Sequence, residues 1–321
     1  MIPENVKKIL YEGDKKIATR VAYGEKIAEL GETNKDIVVL DCDLSKSTMT
    51  SIFAKKFPDR FFNFGIAEAN MMSVAAGLAA MGKIPFASTF AVFASKRACD
   101  QVSISVAYPR LNVKICATHA GISIGEDGAT HQAIEDVSIM RSIPNIVVIS
   151  PADATETRKA IDKIVEYDGP CYLRLCRGSA PIIFNESYDF EIGRGVKLTE
   201  GDKATIVSAG FTTHIAFEAA KKLEEEGIEV DLINMASIKP IDEEMIVDSA
   251  KRTGLVITVE DHNIIGGLGS AVCEVLSSKY PTRVIRLGVK DKFGSSGSPE
   301  ELISAYGFDC GSIIETVKSN I

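Results

Sequence analysis

Short runs of β-branched and apolar residues alternate along this chain with longer stretches whose apolar positions recur at helical spacing. DIVVLDCDL (36–44), KIPFAST (83–89), VKICATHA (113–120), NIVVIS (145–150) and CYLRLCR (171–177) predict buried strands. Residues 68–81, 93–107, 133–141 and 152–167 predict helices between them. The last of these opens on Asp153 with Glu156 three residues on, a pairing that satisfies the free N–H groups of a helix start. Continuous apolar strands separated by helices imply a parallel sheet covered on both faces. The rhythm breaks at SAPIIFNESYDFEIGRG (179–195), which predicts a linker with a short hairpin. A second series follows, with strands over 204–210, 228–235, 255–261 and 282–288 and helices over 213–226, 241–251, 267–279 and 299–305. The expectation is an α/β protein of two doubly wound domains, 1–185 and 195–321, joined by a linker at 186–194.

A length of 321 residues suits two domains. The formal net charge of −8 argues against nucleic acid or an anionic membrane as partner. The N-terminal MIPENVKKILYEGDKK lacks the apolar core of a signal peptide, and no run of apolar residues is long enough to span a bilayer. Seven scattered cysteines with no CxxC pair predict reduced thiols in a cytoplasmic protein, with neither a zinc site nor a disulfide framework.

Four stretches carry candidate chemistry. GGLGSA (266–271) has Val272 where a dinucleotide fingerprint needs its third glycine, so it reads as a tight turn into a helix. THAGISIGEDGATHQ (118–132) follows a strand's carboxyl end, where open α/β sheets bind ligands, and holds His119, Asp127 and His131. Histidine suits proton transfer near neutral pH; the alternative is a solvated Gly-rich connection. Phe90 and Phe93, three apart at a strand-to-helix corner, are core residues or a flat face for a planar heterocycle. Glu68 stands alone among Gly65, Ile66, Ala67 and Ala69. It is either a carboxylate favoured by the helix dipole or a buried acid that needs a ligand as partner.

In order and spacing, FGIAEANM, STFAVF, GEDGATHQ and LCRG resemble the pyrimidine-binding domain of transketolases. GFTTHIAFEAAKKL, IKPID and EDHNIIGGLGSAV are similar to that family's C-terminal domain. The resemblance covers essentially the whole chain and implies thiamine diphosphate chemistry, with transfer of a two-carbon ketol unit between sugar phosphates. Glu68 matches the acid that hydrogen-bonds the aminopyrimidine, and Phe90 and Phe93 match residues that pack it. Asp43 and Ser47, in DCDLSKS, match a DLxxS motif, the acid near the cofactor and the serine near the donor phosphate. Arg20 and Arg177 match phosphate-gripping arginines. His119 and Asp127 match residues that read sugar hydroxyls, and His131 matches one that contacts substrate near its reacting carbonyl or phosphate.

Two positions depart from the family pattern: Lys96 stands where longer transketolases often carry Tyr, and Ala67 replaces a bulkier residue. The family's GDG motif with a later Asn, which holds a divalent cation on the diphosphate, has no counterpart. Gly201-Asp202-Lys203 breaks it and lies in the wrong domain. The resemblance therefore implies a split enzyme. This chain would be its C-terminal subunit, and an N-terminal partner would carry the diphosphate-binding domain and the Mg²⁺ (or Ca²⁺) site in an α2β2 assembly. The β subunit of 2-oxoacid dehydrogenases and 1-deoxyxylulose-5-phosphate synthase share the architecture. The first usually carries an acid motif like TPLxExG, and the second usually has an Arg-type residue where His119 stands. A non-catalytic subunit that kept the fold is the remaining alternative.

Overall fold

Every residue of the strands Ile37–Asp41, Lys114–Thr118 and Cys171–Arg174 is buried. Strands covered on both faces are mostly apolar, which is why they stand out in the sequence; their charged residues, Asp41, Lys114 and Arg174, stand at strand ends. The computed structural model describes residues 1–321. Its first half runs α1 (Glu4–Lys7), β1 (Lys16–Ala18), α2 (Thr19–Thr33), β2 (Ile37–Asp41), α3 (Ser51–Lys56), β3 (Phe61–Asn63), α4 (Glu68–Ala80), β4 (Ile84–Phe90) and α5 (Ala91–Lys96). It continues with β5 (Lys114–Thr118), α6 (Asp136–Ser142), β6 (Val147–Ile149), α7 (Ala154–Glu166), β7 (Cys171–Arg174) and β8 (Ser179–Pro181). The second half runs β9 (Val196–Thr199), β10 (Thr205–Ser208), α8 (Thr212–Glu225), β11 (Asp231–Asn234), β12 (Ser237–Lys239) and α9 (Glu243–Thr253). It ends with β13 (Leu255–Asn263), α10 (Leu268–Lys279), β14 (Arg283–Val289), α11 (Pro299–Ala305) and α12 (Cys310–Lys318).

The main sheet has the order β12-β6-β7-β5-β4-β2-β3 and is parallel except for β12. The second sheet has the order β14-β13-β10-β11-β9 and is parallel except for β9. The fold is thus the expected α/β one, with two mostly parallel sheets and helices packed against them.

Several elements differ from the sequence expectation. The helix expected over 93–107 divides into α5 and a π-helical segment, Gln101–Ala107, whose Val102, Ile104 and Val106 are β-branched and crowd a regular helical turn. No hairpin forms within 179–195; β8 instead pairs antiparallel with β1, far away in sequence. Helix α2 exposes Glu25, Glu29 and Glu32 on one face but buries Thr19, Gly24, Lys26 and Gly31 on the other, so its amphipathic stripe is faint in the sequence. Strand β12 has three residues and crosses from the second half to close the edge of the first sheet, beside β6. Nothing local in so short a run specifies a distant partner.

The start of α7 is the expected cap with a further role. Asp153 accepts the Glu156 backbone N–H at 2.7 Å and, on its other oxygen, those of Ile183 and Phe184 at 2.6 and 2.8 Å. Glu156 reaches back to the Ala152 N–H at 2.6 Å, and its second oxygen accepts from Tyr188 Oη at 2.7 Å and Asn234 Nδ2 at 2.8 Å. One carboxyl thereby joins α7, the linker and β11.

Burial raises the pKa of Glu156 to about 7, from an ordinary 4.5. A raised carboxyl favours the folded state fully below the unfolded value, and that contribution is lost as pH rises through about 7. Glu156→Gln carries no such titration. Calorimetry at pH 5 and pH 8 is therefore expected to show the variant gaining stability over the parent on going to pH 8. The gain should be on the order of 2 kcal/mol, from about 1.4 kcal/mol per pKa unit. A difference independent of pH would refute the assignment.

Candidate active site at the sheet's carboxyl edge

The carboxyl ends of β2, β4 and β5 deliver three chain segments to one edge of the main sheet. Asn63, at the end of β3, accepts the N–H groups of Asp43 and Gly65 at 3.0 Å each and so fixes two adjacent turns. Gly65 has φ +66, a left-handed conformation that favours glycine, and the turn it makes leads into α4. Glu68 is the first residue of that helix and is 4% exposed. The residue before it, Ala67, offers no side-chain cap, so the carboxylate stands at an electropositive helix end. Its charge has a partner that the sequence pattern did not single out: Arg97 Nη1 lies 3.2 Å from Glu68 Oε1. The same guanidinium lies 4.1 Å from the centroid of the Phe93 ring.

Four rings meet beside this acid. Phe90 and Phe93 are nearly parallel at 5.8 Å, and Phe90 stacks on His119 at 3.8 Å. His131 stands edge-on to Phe93 at 5.6 Å and to Phe90 at 6.3 Å. Phe90 is buried and Phe93 half-buried. His119 takes a left-handed backbone conformation, φ +60, directly after β5, and its Nδ1 is 2.9 Å from Thr118 Oγ1. Burial, with Arg20, Arg177 and His131 nearby, lowers its pKa to about 3. The imidazole is therefore neutral at physiological pH, with one nitrogen a donor and the other an acceptor.

Arg20 and Arg177 lie together. Arg20 Nε donates to the Arg177 carbonyl at 3.2 Å, and its Nη1 donates to the Ser47 carbonyl at 2.6 Å. No carboxylate pairs with Arg20, and burial and the Arg177 charge lower its pKa. Arg177 donates to the Ile124 carbonyl at 2.5 Å and approaches Glu126 at 3.4 Å and Asp127 at 3.8 Å. Arg20, a guanidinium without a carboxylate partner beside a second guanidinium, suits an anion. Asp43 is exposed with φ +63; the buried acid of its segment is Asp41. Asp41 accepts the Leu44 N–H at 2.6 Å and the hydroxyls of Thr48 and Thr50 at 2.7 and 3.0 Å, and this shapes the turn that presents Ser47. Burial raises its pKa. Lys96 pairs with Glu135 at 3.0 Å.

Glu68, Phe90, Phe93, His119 and His131 thus form one wall, and Arg20, Ser47, Arg177 and Asp127 form a polar group beside it. Arg97 and Asp41 are the members that sequence patterns did not reveal. Arg97 lies four residues after Phe93 on one helical face, a spacing that could have pointed to it. A planar heterocycle with a proton-accepting ring nitrogen fits the acid and the phenylalanines. A divalent cation does not fit this chain's donors, because no three His, Cys, Asp or Glu side chains are placed to hold one. No helix is long and apolar enough to cross a membrane.

The family models described as the transketolase pyrimidine binding domain and the transketolase C-terminal domain match residues 15–182 and 193–313. A solved structure described as a split gene transketolase, inactive β4 tetramer, is similar at a TM-score of 0.88 and 55% identity over 95% of this chain and 98% of that one. The 6-deoxy-6-sulfo-D-fructose transketolase subunit SqwH of a Clostridium species is 42% identical over 92% of each chain. The transketolase of Homo sapiens is 39% identical over 97% of this chain, which spans 50% of that protein. With both domain models matched in series and relatives of this similarity along nearly its full length, the chain belongs to the transketolase family.

Proposed function

We propose that this chain is the C-terminal subunit of a two-chain, thiamine-diphosphate-dependent transketolase. It moves a two-carbon ketol unit from xylulose 5-phosphate to ribose 5-phosphate or erythrose 4-phosphate in the pentose phosphate pathway. The observation that carries the reading is Glu68, 4% exposed at a helix start and adjoined by the Phe90–Phe93 stack. That arrangement suits the aminopyrimidine of the cofactor. The carboxyl group holds or shares a proton at a ring nitrogen, the two phenylalanines bury the ring, and the closed wall excludes water. When bound, the cofactor supplies an electron sink for the two-carbon unit.

Neutral His119 and Asp127 would hydrogen-bond substrate hydroxyls, His131 would contact the substrate near its reacting carbonyl or phosphate, and Ser47 would lie near the donor phosphate. Asp43 is assigned to the cofactor side of the same edge. Arg20 and Arg177 would take the anionic end of the sugar. The relative named for 6-deoxy-6-sulfo-D-fructose points to a sulfonate as a second anion to assay.

The diphosphate and its Mg²⁺ or Ca²⁺ are assigned to an N-terminal partner chain, in keeping with the half-length match to the human enzyme. Self-association into α2β2 is supported by the exposed apolar residues Ile66, Val74, Met81, Ile104 and Tyr108 on and around α4 and the 101–107 segment, which pack together. The seven free cysteines suit the reducing cytoplasm.

Three measurements test this reading. The purified chain alone is expected to show no ketol transfer, and activity is expected once the partner, thiamine diphosphate and Mg²⁺ are added; full activity of the single chain would refute the split site. In the assembled enzyme, Glu68→Gln should lower kcat by about 10²-fold or more, the size of a lost proton-transfer group. A rate near that of the parent would remove the acid from the mechanism. Nitrogen NMR of the imidazoles should show His119 neutral from pH 5 to 8, since its pKa is about 3; a titration in that range would contradict the buried, cation-flanked setting.

A further inference from the structure

The second half of the chain reaches into the candidate site through one strand end. β13 pairs regularly with β14 as far as Val259, and its register then shifts before Asn263. The three residues Glu260, Asp261 and His262 are buried, yet all are titratable. Glu260 accepts the Leu268 and Gly269 N–H groups at 2.7 and 2.9 Å and so caps α10. His262 Nδ1 faces the Asn263 carbonyl at 2.6 Å, and its Nε2 accepts the Ser138 N–H at 3.4 Å. These two contacts hold helix ends.

Asp261 is different, because its partners lie in the loop that carries His119, Asp127 and His131. Its Oδ1 accepts the Ile122 N–H at 2.8 Å and its Oδ2 the Ser123 N–H at 3.3 Å. The side chain is 3% exposed. Gly121 makes the approach possible: a Cβ there would lie 2.0 Å from Asp261 Oδ2, and its φ is +78. Two further contacts hold the far end of the loop, Gln132 Nε2 to the Ser295 carbonyl at 2.9 Å and Ser296 Oγ to the Glu126 carbonyl at 2.6 Å. These attachments all come from the second half. The loop's own first-half contacts near Asp127 are the Arg177 bonds to Ile124 and Glu126.

We infer that Asp261 is a positioning residue for substrate binding, acting through the backbone of Ile122 and Ser123 to set the loop that presents Asp127 and His131. It touches neither cofactor nor substrate. The C-terminal domain is then a working part of the site rather than a passive neighbour. The inference rests on the proposed function for its kinetic consequence only; the loop's attachment is tested without any activity.

Asp261→Asn keeps the shape but turns an acceptor oxygen into an NH₂ that meets a backbone N–H. Gly121→Ala disturbs the same contact from the loop side and leaves β13 unchanged. Hydrogen exchange on the purified full-length chain is expected to show faster exchange across 121–132 in both variants, with β5 and β13 as protected as in the parent. In the assembled enzyme, the KM for the ketose phosphate should rise about tenfold, as for a lost hydrogen bond to a charged group. Affinity for thiamine diphosphate should fall less than the KM rises, because Glu68, Phe90, Phe93 and His119 lie outside 121–132 and only His131 of that wall lies within it.

Unchanged loop exchange in both variants overturns the inference. So does a rise in KM matched by an equal loss of cofactor affinity, which would signal general damage. If Asp261→Asn unfolds, parental exchange and KM in Gly121→Ala overturn it alone. A parent assembly with no ketol transfer would sink the proposed function, while the exchange result would still decide the attachment.

Discussion

The structure depends on one buried cation. Arg174, in β7, is 7% exposed and sends Nε and Nη2 to the two oxygens of Asp136 at 2.8 and 3.2 Å. The same Nη2 donates to the Ala133 carbonyl at 3.2 Å and to the Asp261 carbonyl at 2.9 Å. Tyr172 Oη completes the Asp136 shell at 2.8 Å. A charge taken out of water at this depth is tolerated only when its donors find partners, and removing one partner of such a pair typically costs about 3–5 kcal/mol. The guanidinium therefore obliges the start of α6, the end of the 119–133 loop and β13 of the second half to come to one place. Burial raises the pKa of Asp136, but Arg174 and His262 outweigh it and hold this carboxyl below its ordinary value.

Around that cation, buried titratable groups divide by what they face. Burial raises the carboxyls of Glu156 and Glu260 to about 7, and each accepts backbone N–H groups at a helix start. His119 and His262 are pushed the other way, to about 3 and about 4, by burial and nearby guanidinium groups. At neutral pH His119 and His262 are hydrogen-bonding groups without charge. Positive charge at the site comes from Arg20, Arg97 and Arg177, which keep theirs at any physiological pH. An edge built this way offers fixed cations and neutral donors, an arrangement suited to anionic, hydroxyl-rich molecules.

The strands and helices that bury whole runs of residues were legible, because β2, β5 and β7 are mostly apolar, with their charged residues Asp41, Lys114 and Arg174 at strand ends, and α7 opens on a recognisable cap. Elements with distant partners were not. β8 pairs with β1, and β12 crosses between halves, and neither pairing leaves a local trace. The candidate residues show the same division. Glu68, Phe90, Phe93, His119 and His131 stood out as motifs and are brought together by consecutive strand ends. Arg97, Asp41 and Asp261 escaped notice because their importance lies in what they touch. Asp261 sits in a run of three polar residues, EDH, that looks like any strand leaving its sheet, and its role depends on Gly121, far earlier in the chain, having no Cβ.

The pairing of Glu68 with Arg97 gives the buried acid a partner within this chain. A carboxylate this deeply buried needs compensation, and the guanidinium supplies it at 3.2 Å. Arg97 itself is half exposed and rests on Phe93. A cation–π contact at an exposed position is worth about 0.5–1 kcal/mol, and an ion pair whose cation is open to water contributes at the low end of the usual range, about 0–1 kcal/mol. Displacing or sharing this partner therefore costs about 0.5–2 kcal/mol, no more than a single good hydrogen bond to a charged group returns, about 1.5–3 kcal/mol. The acid is held in place strongly enough to stay buried, yet weakly enough that another hydrogen-bonding group could take the place of the guanidinium. The groups that keep it so, Arg97 and the phenylalanine stack, all belong to this one chain.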